Sequence, residues 1–468
     1  MAKYNILKAA SWYTIGNILI KGVSFFVLPV FTRLMSTHEY GIYSVYLSYL
    51  NIYETVILLG LSATVAVAKY AKEVEFESYI STILTIPTAI TGVIIVLVNI
   101  CVSLFGNILS MNAPLWNCLL ITSAAGAIGG IIGARLVIDG RYMLYLAYSG
   151  IATIGNVLIS LMLCYTIYKD HDVHLARIYG STIASVISVV FLIIVTKVRF
   201  RLNRKNVKYA FAWGIPLLFH TVATVVLMQS DRILVRYLDS YSSAGIYAVA
   251  TTIVTIPMVL QQSLHQAWTP WFYGKLETKD YKQIQWLNDR YIMLYGVIIG
   301  GFMLISPDII HMFTERNYWP CVYSLVPLSI GVFAELLYGI PASVEYYNKK
   351  TTYIMTATLI TVILNILLDI LFIKTIGYHG AAYATAFSKI FLFLLHLHFS
   401  RKLDRNEIFS KQVVIISIGA LALLNAITVM LEDNMIIRYG VLILLVIPVA
   451  VYLLKKRKII FNQMKENC

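Results

Sequence analysis

From Ser11 to Leu454 the chain is a succession of apolar stretches, separated only by short polar breaks. Each stretch is about twenty residues long, enough for a helix to cross a bilayer core of about 30 Å. One such stretch would fit a buried helix or a single anchor. Roughly fourteen leave no length for a soluble domain. The pattern therefore predicts an all-α polytopic membrane protein. The expected spans cover 11–33, 41–68, 79–100, 114–134, 143–167, 175–196, 210–236, 244–270, 290–306, 321–347, 352–373, 380–399, 413–430 and 435–454. A charged break, RKLDRNEIFSKQ, sets off the last two.

Charge sorts the loops between these spans. Charged residues are only 13% of the 468, against 59% hydrophobic, and the formal net charge is +14. A soluble chain would carry about a quarter charged residues. With fourteen spans both termini share one side, and 27 of the 37 Lys and Arg fall there, including KVRFRLNRKNVK and the KKRK cluster at Lys455. The positive-inside rule makes that side cytoplasmic. The basic excess is thus a topology signal with some attraction to anionic lipid, and nucleic acid is not an expected partner. Five scattered cysteines give neither a disulfide framework nor a metal site. The N-terminus reads as an uncleaved first span. There is no GxxxxGK phosphate loop. The outer loops are short, the longest being SPDIIHMFTERNYWP. That argues against a membrane glycosyltransferase or polymerase, which needs a loop or domain to carry catalytic groups.

The chain also repeats itself. RLMSTHEYGIYSV from Arg33 is echoed by RYLDSYSSAGIYAV from Arg236, so that Gly41, Ile42, Tyr43 and Val45 map onto Gly245, Ile246, Tyr247 and Val249. NVLISL from Asn156 is echoed by NILLDI from Asn365. The unit holds six spans, an even number, so the halves share one orientation, as in parallel-repeat transporters. The reading gives two pseudo-symmetric six-helix bundles, 1–197 and 198–400, and an extra helix pair with a basic tail, 401–468. Substrate would lie between the halves, and the mechanism would be alternating access. A pseudo-symmetric scaffold without transport is the plainer alternative.

Charges inside spans cost at least ~2.5 kcal/mol each and call for a reason. Lys21 lies about 18 Å along its helix from Arg33, and Glu54 about 20 Å beyond Gly41. The two should sit at similar depth near the bilayer centre, either as a structural ion pair or as a substrate cation with its tuning acid. The second half has Glu335 and Lys389 in mid-span, Asp369 nearer the outside, and Asp231 with Arg232 at a helix end, where a local cap or salt bridge is expected. Glu54, Glu335, Asp369 and Asp231 are the candidates for ion coupling. Tyr46, Tyr49 and Tyr53 form a stripe that either stacks on sugars or packs helices. His265, Gln261 and Gln262 suit helix–helix hydrogen bonds.

Three segments carry a family resemblance. SWYTIGNILIKGVSFFVLPVFTRLMSTHEYGIYSVYLS resembles the opening of polysaccharide-biosynthesis flippases of the O-antigen type, within the multidrug/oligosaccharidyl-lipid/polysaccharide exporter superfamily. SDRILVRYLDSYSSAGIYAVA resembles the start of that family's second half, and NILLDILFIKTIGYHGAAYATAFSKI its eleventh and twelfth spans. The resemblance implies a V-shaped, MATE-like transporter in the bacterial cytoplasmic membrane. It would move an undecaprenyl-pyrophosphate-linked oligosaccharide to the outer leaflet for O-antigen, lipopolysaccharide, capsule or a related polymer. It implies a cationic cavity, which Lys21 and Lys389 match in mid-span and Arg33 and Arg232 nearer the mouth. It implies drive by a proton or sodium gradient with no other cofactor. The partners it implies are a glycosyltransferase inside and a polymerase outside, and a monomer would suffice. The rival within the superfamily is a multidrug or organic-cation antiporter.

Overall fold

The computed structural model describes residues 22–23, 25–169, 171–448 and 451, with backbone alone at 216, 217, 219 and 220. Apart from one isolated bridge between Ile108 and Met111, the described residues form helices joined by short turns. Among the described residues eleven helical segments are long and apolar enough to cross a membrane. The first and last expected spans lie partly outside the described residues and are represented by α1 (Phe25–Leu34) and α15 (Met435–Pro448). The seventh is α8 (Arg204–Leu238), 35 residues and about 52 Å long. The chain divides into two compact units, Met1–Arg236 and Tyr237–Cys468.

The first unit gathers around α5 (Ala113–Ile138), which packs on α2 (Thr37–Leu58), α4 (Phe76–Phe105) and α7 (Val173–Thr196). The reason lies in its run AAGAIGGIIGA, since small residues let membrane helices approach closely. Gly126 faces the Glu54 carboxyl, Gly129 the Tyr148 hydroxyl and Gly133 the Tyr145 ring, the tyrosines coming from α6 (Tyr142–Thr166). The expected second span is broken in two. Leu59 and Gly60 both take positive φ, 50° and 67°, between α2 and α3 (Leu61–Tyr70). Gly214 of α8 fits into that break, where a Cβ would come within 2.7 Å of the Leu59 carbonyl oxygen. At one end of the unit Lys69 pairs with Asp139 at 2.9 Å, and Arg135 with Glu77 at 2.6 Å. The repeat alone would divide the chain at 197/198. In the structure α8 belongs with the first unit: Asn206 donates to Ser78 Oγ at 3.0 Å, and the Tyr209 and Tyr79 rings meet edge to face.

The second unit gathers around α11 (Val322–Tyr347), which packs on α9 (Tyr241–Glu277), α10 (Tyr281–Phe313), α13 (His379–Leu403) and α14 (Lys411–Met430). α12 (Thr351–Ile376) and α13 form a tight hairpin, with Gly380 against the backbone of Phe372 and Ile373. The expected fifteen-residue loop at 306–320 is largely structured. α10 runs from Tyr281 to Phe313, and a short 3₁₀ helix follows at Arg316–Cys321. Pro307 lies inside α10.

Each unit repeats the other's local design. Ser36 caps α2 by accepting from the Glu39 N–H, and Ser240 caps α9 by accepting from the Ser243 N–H, 204 residues later. Tyr43 and Tyr247, and Val45 and Val249, are buried alike. The central helices α5 and α11 start at Ala113 and Val322, 209 residues apart, as do α6 and α12 at Tyr142 and Thr351.

Candidate functional site

In the first unit the candidate groups line α2 and the face of α5 that it covers. Glu54 is half-buried four residues before the end of α2, with its carboxyl against Gly126 and within electrostatic reach of the Tyr148 hydroxyl. Among the described residues Glu54 makes no ion pair. Its expected partner, Lys21, lies outside the described residues. The tyrosine stripe is mostly used for packing. Tyr46 is 3% exposed, beside the hydroxyls of Thr122 and Thr182, and Tyr49 is also buried. Tyr53 keeps some exposed surface and meets the Trp116 ring edge to face at 5.5 Å. Arg33 is exposed near the end of α1. Near the end of α8, Asp231 is buried, and Arg232 donates to Gln229 Oε1 at 3.2 Å.

In the second unit three helices converge on Glu335. Lys389 Nζ of α13 donates to Glu335 Oε2 of α11 at 2.9 Å, with both side chains about four-fifths buried. The two charges named separately in the sequence are therefore one pair. The helix α11 is notched on both sides of the carboxylate by Gly331 and Gly339, one turn before and one turn after it. A Cβ at Gly331 would touch Lys389 Cδ at 3.6 Å. One at Gly339 would lie 3.1 Å from His265 Cε1, in the ring contributed by α9. His265 stacks on Trp268 with centroids 5.2 Å apart, lies within electrostatic reach of Glu335, and its Nδ1 is buried with no hydrogen-bond partner among the described residues. Farther along the same two helices, His396 Nδ1 and the fully buried Glu345 approach to 3.0 Å.

Asp369 and Asn365, one turn apart on α12, are both fully buried. Both side-chain polar atoms of Asn365 lack a hydrogen-bond partner among the described residues. The α12–α13 hairpin brings Ser388 to the level of Asn365, and its hydroxyl also lacks one. Together these supply oxygen donors of the kind a small cation takes.

The sequence reading did not single out Glu345 with His396, Arg177 or Arg438. Arg177 of α7 lies across the Phe31 and Tyr43 rings, 3.8 and 4.8 Å from their centroids. Arg438 of α15 is 2% exposed and grips Asp308 with both terminal nitrogens. The available signal was a charge set inside an apolar run, but Arg438 lies close enough to a span end to pass for a loop residue.

The fold is similar to known membrane transporters. Lipid II flippase MurJ in an inward closed conformation superposes with a TM-score of 0.72 over 96% of this chain and 99% of that one, at 19% identity. An inward-facing multidrug resistance MATE family transporter of the MOP superfamily gives 0.65 over 88% and 99%, at 10% identity. In sequence, Lsg locus protein 1 of Haemophilus influenzae is 21% identical over 281 residues, 58% of this chain and 67% of its own length. The profile of the family described as polysaccharide biosynthesis protein matches residues 6–274, more than half of the chain. With this match and with charged groups held inside an all-helical, multi-pass membrane fold, the chain belongs to the polysaccharide biosynthesis protein family.

Proposed function

We propose that this protein is a flippase that moves an undecaprenyl-pyrophosphate-linked oligosaccharide from the cytoplasmic to the outer leaflet by alternating access. The observation that carries the reading is Lys389, an ammonium group held deep in a helix bundle of a polysaccharide-biosynthesis family member. Lys21 is its expected counterpart in the first half. A diphosphate that must cross hydrocarbon needs such a cation, because the barrier is the transfer of charge and sugar hydroxyls out of water. The prenyl tail stays in lipid, and no bond is made or broken. The kinship in fold with a lipid II flippase supports a lipid-linked substrate.

Transport runs on a proton or sodium gradient. Asp369 with Asn365 is the best-placed coupling site, because it sets a fully buried carboxylate one turn from the buried side-chain amide of Asn365, which has no hydrogen-bond partner among the described residues. Glu54 is the candidate coupling acid of the first half. The protein works as a monomer in the bacterial cytoplasmic membrane with both termini inside, between a glycosyltransferase and a polymerase. The fold it shares with MATE transporters favours one second reading, organic-cation antiport with Glu54 as the cation-binding acid.

Leaflet transfer of a pyrophosphate-linked oligosaccharide in proteoliposomes separates the two. Transfer that falls at least about tenfold in Lys21→Ala or Lys389→Ala, and that speeds up under an imposed gradient, is the expected result. No transfer, with gradient-driven efflux of organic cations, selects the antiporter.

A further inference from the structure

Glu335 lies one turn from each of two glycines that make room for a basic side chain. The notch at Gly331 admits the Lys389 stem, which reaches the carboxylate, and the notch at Gly339 admits the His265 ring, which lies within its electrostatic reach. Lys389 holds it at 2.9 Å while His265 Nδ1 has no hydrogen-bond partner among the described residues. A bulkier residue at either notch would close one approach. A pair built only for stability would have no use for the second notch.

We propose that His265, Glu335 and Lys389 form a charge-exchange site that controls the affinity of Lys389 for the substrate's diphosphate. While His265 is neutral the triad carries no net charge, and Glu335 neutralises Lys389. When the imidazole takes a proton, the triad carries +1. Glu335 is drawn toward the imidazolium, and the Lys389 ammonium is left for the phosphate oxygens. Loss of that proton returns Glu335 to Lys389 and displaces the anion. Histidine suits this role because it is the side chain whose unperturbed charge change falls between about pH 5 and 8. The proposal rests on the flippase reading and adds a proton-dependent step at its anion site.

The surroundings leave these three groups in charge of the exchange. α9 contributes His265, backed by Trp268. α10 contributes Tyr291 and Tyr295, and the Tyr295 hydroxyl is already donated to the Pro257 carbonyl at 2.8 Å. α11 contributes Glu335 and Tyr338, with Glu345 tied to His396 farther on. α13 contributes Lys389 and His396. The mid-span charge of α12 is Asp369, and α14 has no ionisable side chain from Gln412 to Met430.

The test is binding of farnesyl diphosphate to the purified full-length protein in nanodiscs at about pH 5.5 and about pH 8. The parent should bind about tenfold or more tightly at the lower pH. His265→Gln should bind weakly at both, Glu335→Gln tightly at both, and Lys389→Gln weakly at both. A His265→Gln protein that keeps the parent's pH dependence overturns the exchange. Failure of every protein to bind the diphosphate counts instead against the flippase reading. The exchange is then judged without ligand, from the ¹³C resonances of His265 in labelled protein. Lys389→Gln releases Glu335 to the imidazole and should move its titration midpoint by about one pH unit or more. An unmoved midpoint overturns the proposal.

Discussion

Replacing Arg438 with alanine removes three charge-assisted hydrogen bonds at once. Its Nη1 donates to the Leu304 carbonyl at 2.7 Å and to Asp308 Oδ2 at 2.9 Å, and its Nη2 to Asp308 Oδ1 at 3.0 Å. At 2.9 Å and an effective dielectric of about 20 the Coulomb attraction alone is about 6 kcal/mol, before desolvation is subtracted. Breaking a buried pair from one side costs about 3–5 kcal/mol, because the remaining charge is stranded. Asp308 is 28% exposed and can recover some solvation, so the low end, about 3 kcal/mol, is expected. For a unit of this size that is a drop of about 6–12 °C in melting temperature. Thermal unfolding in nanodiscs reads it, with proteolysis of the 404–411 connection as a second probe. Arg438→Met with Asp308→Leu should recover at least half of the loss, since an apolar pair leaves no stranded charge. A shift below about 2 °C for the single variant, or no recovery in the double, would refute Arg438 as the anchor of α15.

Gly126→Ala places a Cβ 2.5 Å from Glu54 Cδ and Oε1, so the carboxyl must move. Gradient-driven transport should fall several-fold with little change in melting temperature, as measured in proteoliposomes and by thermal unfolding. Gly380→Ala sets a Cβ against the backbone of Phe372 and Ile373, which cannot rotate away. This variant should lose about 3 kcal/mol or more and appear as low yield of monodisperse protein. Ser36→Ala opens the capping box with Glu39 and should cost about 1 kcal/mol, visible as a small fall in melting temperature.

The repeat could be read from sequence because it is written in local chemistry. A serine cap, a glycine and a buried tyrosine recur at a fixed spacing, and each fixes its own helix start whatever the rest of the chain does. The pairing of Glu335 with Lys389 was half legible. Both residues stood out as charges in apolar spans, but nothing linear says that residues 54 apart share a face. His265 was read only as a helix–helix hydrogen-bonding group for a related reason. Its context is ordinary until Gly339, 74 residues on, is seen to make room for its ring. For the tyrosine stripe the sequence left sugar stacking and helix packing both open, and the stripe is largely buried against α5 and α7.

The sequence by itself determined that the chain lives in a membrane, that it crosses it many times, and which charges are costly. Burial in lipid depends on the composition of each twenty-residue window, and that is a one-dimensional quantity. Only the tertiary structure decided where the first unit ends, where the second span breaks, and which costly charges meet. Those outcomes turn on contacts between distant segments. Small residues on α5 and α11 set how closely neighbouring helices approach, and hence which side chains reach one another.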